Sequence, residues 1–229
     1  MMRLYDLAGR DPEHRFSPYC WRVRLALAHK GIPVECIPWR FAEKAAIAAS
    51  GQGKVPVLVD GDTIVFDSMQ IADYLEAKFP ERPSLFGGAA AQALTTFMTC
   101  WADQVLAPAL VPCVVADIVR HLDPGDVAYF RESREARFGR SLEAVSADRE
   151  TRLPALRQLL APLHATLSRQ DYLGGTAPLH ADYAVFGMFQ WVRMVSAFEV
   201  LEPGDPIHAW RERLLDAFDG MARRAPCYA

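Results

Sequence analysis

The chain has 229 residues, 51% of them hydrophobic and 23% charged, a globular composition that excludes disorder and collagen-like structure. Its formal net charge of −3 provides no basic stripe to neutralise phosphates, so nucleic acid is not an expected partner. The opening MMRLYDLAGR turns charged within ten residues, and no later apolar run reads as membrane-spanning, so a cytoplasmic protein with no membrane partner is expected.

In chain order, Leu4 to Leu7 reads as a strand, ended by a loop at Ala8-Gly9-Arg10-Asp11-Pro12. Ser17 then offers a capping hydroxyl and Pro18 a first-turn proline, and Trp21, Leu25 and Ala28 recur at helical spacing up to Gly31. Val34 to Ile37 is the next strand, which makes a βαβ unit with parallel strands, and Phe41 to Ala49 is a second, weaker helical stretch. Val57 to Val59 and Thr63 to Phe66 flank Asp60-Gly61-Asp62, a hairpin signal. Asp67 with Gln70 looks like a capping box opening a helix that runs to Phe79-Pro80.

The fold class expected is therefore α/β and thioredoxin-like, βαβ then ββα, over residues 1–80. A linker follows at 81–88, and an all-α domain at 89–229. In that second domain, alanine- and leucine-rich stretches run roughly 89–121, 126–146, 150–170, 181–198 and 206–223, and Pro108 and Pro112 are expected to kink or interrupt the first.

Five cysteines, at 20, 36, 100, 113 and 227, have no repeated C-x-x-C spacing, so neither a disulfide framework nor a zinc site is expected. The six histidines lack metal-ligand spacing, and Gly51-x-Gly53 meets Pro56 where a phosphate loop needs glycine, so no metal and no nucleotide cofactor are expected. Ser17-Pro18-Tyr19-Cys20 sits where a loop enters a helix, and unpaired N–H groups there favour an anion such as a thiolate. Lowering a thiol pKa from about 8.5 to about 6.5 takes roughly 2.7 kcal/mol, more than a helix dipole supplies. A hydroxyl bonded to the charged sulfur adds about 1.5–3 kcal/mol. Taken locally, Ser17 is still more often a plain helix cap, as is Asp67, and Pro56 an ordinary trans proline opening an edge strand.

Together, Ser17-Pro18-Tyr19-Cys20-Trp21-Arg22, Lys54 to Asp60, Asp67-Ser68 and the helical second domain resemble the glutathione transferase superfamily over nearly the whole chain. The resemblance implies one glutathione site. Ser17 would hold the sulfur as the catalytic residue, Lys54 and Val55 beside a cis Pro56 would meet the cysteinyl backbone, and Asp67 and Ser68 the γ-glutamyl end. Tyr19 would border a substrate pocket lying between the domains, formed with parts of the first and fourth helical stretches. Glutathione would be the cosubstrate and the protein a homodimer. Trp21 to Leu27 is similar to the zeta class and Ser17 to Cys20 to the omega and glutaredoxin pattern with serine for its leading cysteine, whereas Tyr129 to Gly139, Leu142-Glu143, Tyr172 to Gly175 and Ala181-Asp182-Tyr183 look most like bacterial β-etherase-type transferases.

The leading expectation is thus an enzyme that joins glutathione thiolate to an apolar aromatic electrophile, with β-aryl ether cleavage as the specific case. A zeta-like isomerase of diketo acids, a thiol reductase using Cys20 and a non-catalytic ligand carrier are the alternatives. Leu179 stands where the family's second-domain capping box has Ser, Thr or Asn, so Asp182 is expected to act in folding and the box to be incomplete.

Overall fold

The computed structural model describes residues 1–228. Four strands, β1 (Met2–Leu7), β2 (Val34–Trp39), β3 (Val57–Asp60) and β4 (Thr63–Phe66), form one sheet in the order β2-β1-β3-β4. β1 pairs β2 in parallel, and β3 runs antiparallel to both β1 and β4. The mixed sheet follows from the connections: α1 (Pro18–His29) gives β1 and β2 the length of crossover that parallel pairing needs, whereas Gly61, at φ 60°, closes the short β3–β4 hairpin. α2 (Ser68–Lys78) completes the expected thioredoxin-like layer. The stretch expected as a helix over Phe41 to Ala49 is instead a 3₁₀ segment, Lys44–Ser50, ended by Gly51 in the left-handed region. Its Ala-Ala-Ile-Ala-Ala run buries only Ile47, too little apolar surface to hold a longer α-helix in place.

The rest is helical: α3 (Ala89–Trp101), α4 (Ala107–Val114), α5 (Pro124–Phe138), α6 (Leu142–Ser146), α7 (Arg149–Leu167), α8 (His180–Val195) and α9 (Pro206–Gly220). Pro108 and Pro112 do not end the first stretch, although its α-helical ladder is disturbed just before Pro108. A π-helical turn, Ala102–Leu106, precedes Pro108 and widens the ladder where its missing N–H and its ring would disturb an α-turn. Ala89–Val114 is consequently one 26-residue apolar run, long enough by length and composition to cross a membrane, which corrects the reading of no such run. Only 33% of its most apolar window is buried, but Asp103 on it pairs at 2.6 Å with the fully buried Arg22 of α1. The second stretch breaks into α5 and α6 at Gly139, which has φ 68°.

The two halves meet where α1 packs on α8, which is buried on nearly all sides. A Cβ on Gly187 would stand 2.5 Å from the Pro18 carbonyl oxygen, so only glycine lets α8 approach the first turn of α1 this closely. Asp182 takes four donors: the Leu173, Gly174 and Leu179 amides at 2.7, 2.9 and 3.0 Å and the Trp210 indole at 2.8 Å. Half of the capping box therefore exists, since Asp182 accepts the Leu179 N–H while the leucine side chain has nothing to return.

Candidate functional site

Ser17 is the N-cap of α1. Its Oγ accepts the Cys20 N–H at 3.3 Å, it is 3% exposed, and it lines a cavity of about 370 Å³ between the domains. Capping and chemistry are compatible here, because a hydroxyl has two lone pairs and one proton, and accepting an amide leaves the proton to be donated. Cys20, one turn on, is fully buried, and burial together with the nearby Asp6 carboxylate pushes its thiol well above the ordinary value. A thiol held neutral and out of reach does not attack, so the dithiol alternative loses its nucleophile.

A second cavity, of about 440 Å³, adjoins the first and is lined by Gln52, Gly53, Lys54, Val55, Pro56, Phe66, Asp67 and Ser68. Tyr19, Gly53, Lys54 and Val55 border both, so the two form one trough past Ser17. The Val55–Pro56 bond is cis. Neither the N–H nor the C=O of Val55 bonds to backbone among the described residues, which leaves one donor and one acceptor for an extended peptide. Gln52 braces this loop: its carbonyl accepts the Lys54 N–H at 2.6 Å and its amide donates to the Lys54 carbonyl at 2.5 Å. Asp67 sits at φ 68°, a conformation that side chains seldom adopt, and its Oδ1 accepts from Met69 N at 2.9 Å and Gln70 N at 3.2 Å. One carboxylate oxygen is left to face the trough beside the buried Ser68 at the helix start, where amides favour an anion. Free backbone groups, a carboxylate and a helix N-terminus in one groove match the amide, ammonium and carboxylate of a γ-glutamyl peptide.

The first cavity is mostly apolar and rich in aromatic rings, with Phe16, Trp39, Phe41, Tyr129, Phe130, Phe138 and Trp191 on its walls. Tyr19 is 37% exposed at the mouth, and its phenol is pushed up by burial and by Asp103. The Arg22 guanidinium stacks 5.0 Å from its ring centre. α4 and α8 contribute to the pocket as expected, and so does the second helical stretch, through Tyr129, Phe130, Arg134, Arg137 and Phe138 of α5, a segment whose sequence signalled resemblance but not position. Among the aromatics of the helical stretches, Tyr129, Phe130, Phe138 and Trp191 reach the cavity, whereas Phe186 and Phe189 pack edge-on against Trp210 at about 6.2 and 6.1 Å in the core. Asp126 joins the two domains: its buried carboxylate accepts the Phe41 N–H at 3.0 Å and the Ala42 N–H at 2.8 Å, fixing the loop after β2 against α5.

Two family models match the chain: glutathione S-transferase, N-terminal domain, over residues 12–83, and glutathione S-transferase, C-terminal domain, over residues 93–215. Glutathione S-transferase 1 of Dianthus caryophyllus is 40% identical over 89 residues, 37% of each chain, so the match spans little more than a third of that relative's length. Glutathione S-transferase 4 of Zea mays is 26% identical over 210 residues, 86% of this chain and 83% of that one. In fold, the chain resembles a glutathione S-transferase of Ceriporiopsis subvermispora solved in complex with glutathione, with a TM-score of 0.80 at 22% identity over 96% of this chain and 99% of that one.

Proposed function

The chain belongs to the glutathione S-transferase family, and from that premise we propose that it binds glutathione in the polar arm of the trough and transfers its thiolate to an aromatic electrophile in the other. The observation that carries the reading is the place of Ser17, a buried capping hydroxyl with a proton to give, on the wall of an apolar cavity that shares Tyr19, Gly53, Lys54 and Val55 with a peptide-sized groove. In the proposed step the thiolate, bonded by the Ser17 hydroxyl, attacks carbon; the C–S bond forms as the bond to the leaving group breaks, and that group departs with the electron pair. β-Aryl ether cleavage, with a phenoxide leaving, is the specific case, favoured by the aromatic walls that α5 supplies. Val55 is assigned to the cysteinyl backbone, Asp67 to the γ-glutamyl ammonium and Ser68 to its carboxylate, with Lys54 and Pro56 shaping the strand entrance and Tyr19 bordering the substrate.

A glutathione titration followed at the thiolate's ultraviolet absorbance across pH tests this. Wild type is expected to show a bound thiol pKa below that of free glutathione, and Ser17→Ala to raise it by about one to two units. Binding without a shift in wild type would leave a carrier, not a transferase.

The proposed assembly is a homodimer in the cytoplasm. Supporting it, α3 presents its apolar residues outward: Leu94 is 69% and Phe97 66% exposed, while Thr95 and Thr99 are buried on the inner face. Sedimentation should show a dimer that Leu94→Glu with Phe97→Glu converts to a folded monomer. An unchanged mass would place the interface elsewhere.

A further inference from the structure

α5 and the turn after it carry arginines at three-residue spacing, Arg131, Arg134, Arg137 and Arg140, and the fold treats the first three differently. Arg131 lies on the outer side and is neutralised by Glu135 at 3.2 Å and Glu143 at 2.7 Å. Arg134 and Arg137 line the aromatic cavity, and neither has a carboxylate within 4.0 Å among the described residues. The Arg134 guanidinium is clamped between rings, 4.4 Å from the centre of Phe130 and 5.2 Å from that of Phe41, and donates to Ser133 Oγ at 2.7 Å. Lys44 adds a third cation at the same wall, donating to the Tyr129 hydroxyl at 3.4 Å. Of the α5 carboxylates, Glu135 pairs with Arg131, and Asp126, in the first turn, spends both oxygens on backbone amides.

The half-buried Arg134 guanidinium, partly withdrawn from water without a counterion, is an uncompensated cost, Arg137 stands exposed beside it, and the planar fork of each fits a carboxylate with two parallel bonds. Resting on the transferase reading above, we propose that Arg134 and Arg137 form an anion subsite of the substrate cavity, so that the electrophile it takes is an aromatic ring bearing a carboxylate. Phe41, Phe130 and Trp191 bury the ring. The carboxylate meets the two guanidinium groups and turns the reacting carbon toward Ser17. A neutral arene of the same shape gains the stacking and forgoes the ion pair.

The test compares glutathione conjugation of 4-chloro-3-nitrobenzoate with that of its methyl ester, each rate divided by its uncatalysed counterpart. In both, the thiolate displaces chloride. Wild type is expected to favour the acid, and Arg134→Gln with Arg137→Gln to lower kcat/KM for the acid about 10- to 100-fold more than for the ester. The paired lysine variant, which keeps charge but loses the fork, should fall between, and Arg131→Gln should leave the preference in place. No preference in wild type, or equal losses for both compounds in a variant that retains its circular dichroism, overturns the subsite while the transferase reading stands. If neither compound reacts, quenching of tryptophan fluorescence by 4-nitrobenzoate and by its methyl ester decides. Tighter binding of the acid that is lost in the glutamine pair keeps the subsite, equal binding of both removes it, and the thiolate titration decides the transferase reading independently.

Discussion

The two walls of the trough are built by opposite means. On the thioredoxin-like side, Ser17, Val55, Asp67 and Ser68 all stand at ends of elements, two helix starts and a strand entrance, where backbone groups lack partners inside their own element. On the helical side, Val111, Tyr129, Arg134, Met188 and Trp191 come from the middles of three helices, whose backbones are satisfied and which contribute only side chains. The first wall can recognise a fixed peptide through main-chain bonds. The second can change its ligand by substitution without disturbing a hydrogen-bond ladder, which suits a family with one common thiol and many electrophiles.

If the walls are separate devices joined at a few points, breaking a joint should harm both. Asp126→Ala orphans the Phe41 and Ala42 amides, and a loss of about 2–5 kcal/mol in denaturant unfolding is expected, with Asp126→Asn retaining roughly half because one acceptor remains. Ser17→Ala should act on the polar wall alone, costing about 1.5–3 kcal/mol of thiolate stabilisation while leaving the binding of aromatic anions unchanged. Gly187→Ala drives a methyl group toward the Pro18 carbonyl, and about 1–3 kcal/mol of stability should be lost as α1 and α8 separate, with thiolate stabilisation weakening alongside because the cap moves.

The smallest effect per step concerns His180, fully buried at the α1–α8 joint with neither ring nitrogen bonded and its pKa pushed down to about 3 by burial and the charge of Arg22. The unfolded chain therefore takes this proton first as pH falls. Stability is complete above the ordinary histidine pKa of 6.5 and declines by about 1.4 kcal/mol per pH unit from 6.5 toward 3. His14, His29 and His121 are lowered by burial too and add in the same direction. His180→Phe, beside Phe86, should flatten the acid limb of the melting temperature against pH; an unaltered slope would mean the ring is hydrated in solution.

The polar wall was legible in the chain because its signals are local: Ser17-Pro18 marks a cap, Asp60-Gly61 a hairpin, and Asp67 a helix start, each within a few residues of the group that it positions. The cis bond before Pro56 came from resemblance, since the local odds favour trans. Arg134 and Arg137 could not be told from Arg131 by spacing, as all three recur along one charged helix and only the neighbours decide which are neutralised. The apolar run around Pro108 looked interrupted, because a proline's effect on a helix depends on whether a wider turn can form before it.

The sequence by itself determined the element order, the mixed sheet and the caps that face the trough, because turn chemistry, capping and periodicity act between near neighbours. Tertiary structure alone decided that α5 belongs to the cavity, that the buried Ser17 lines it, and that Arg134 and Arg137 line it without a counterion while Arg131 is neutralised. Those outcomes depend on burial and on contacts between residues some eighty-five to ninety-three positions apart, such as Phe41 with Asp126 and with Arg134, which no local pattern encodes.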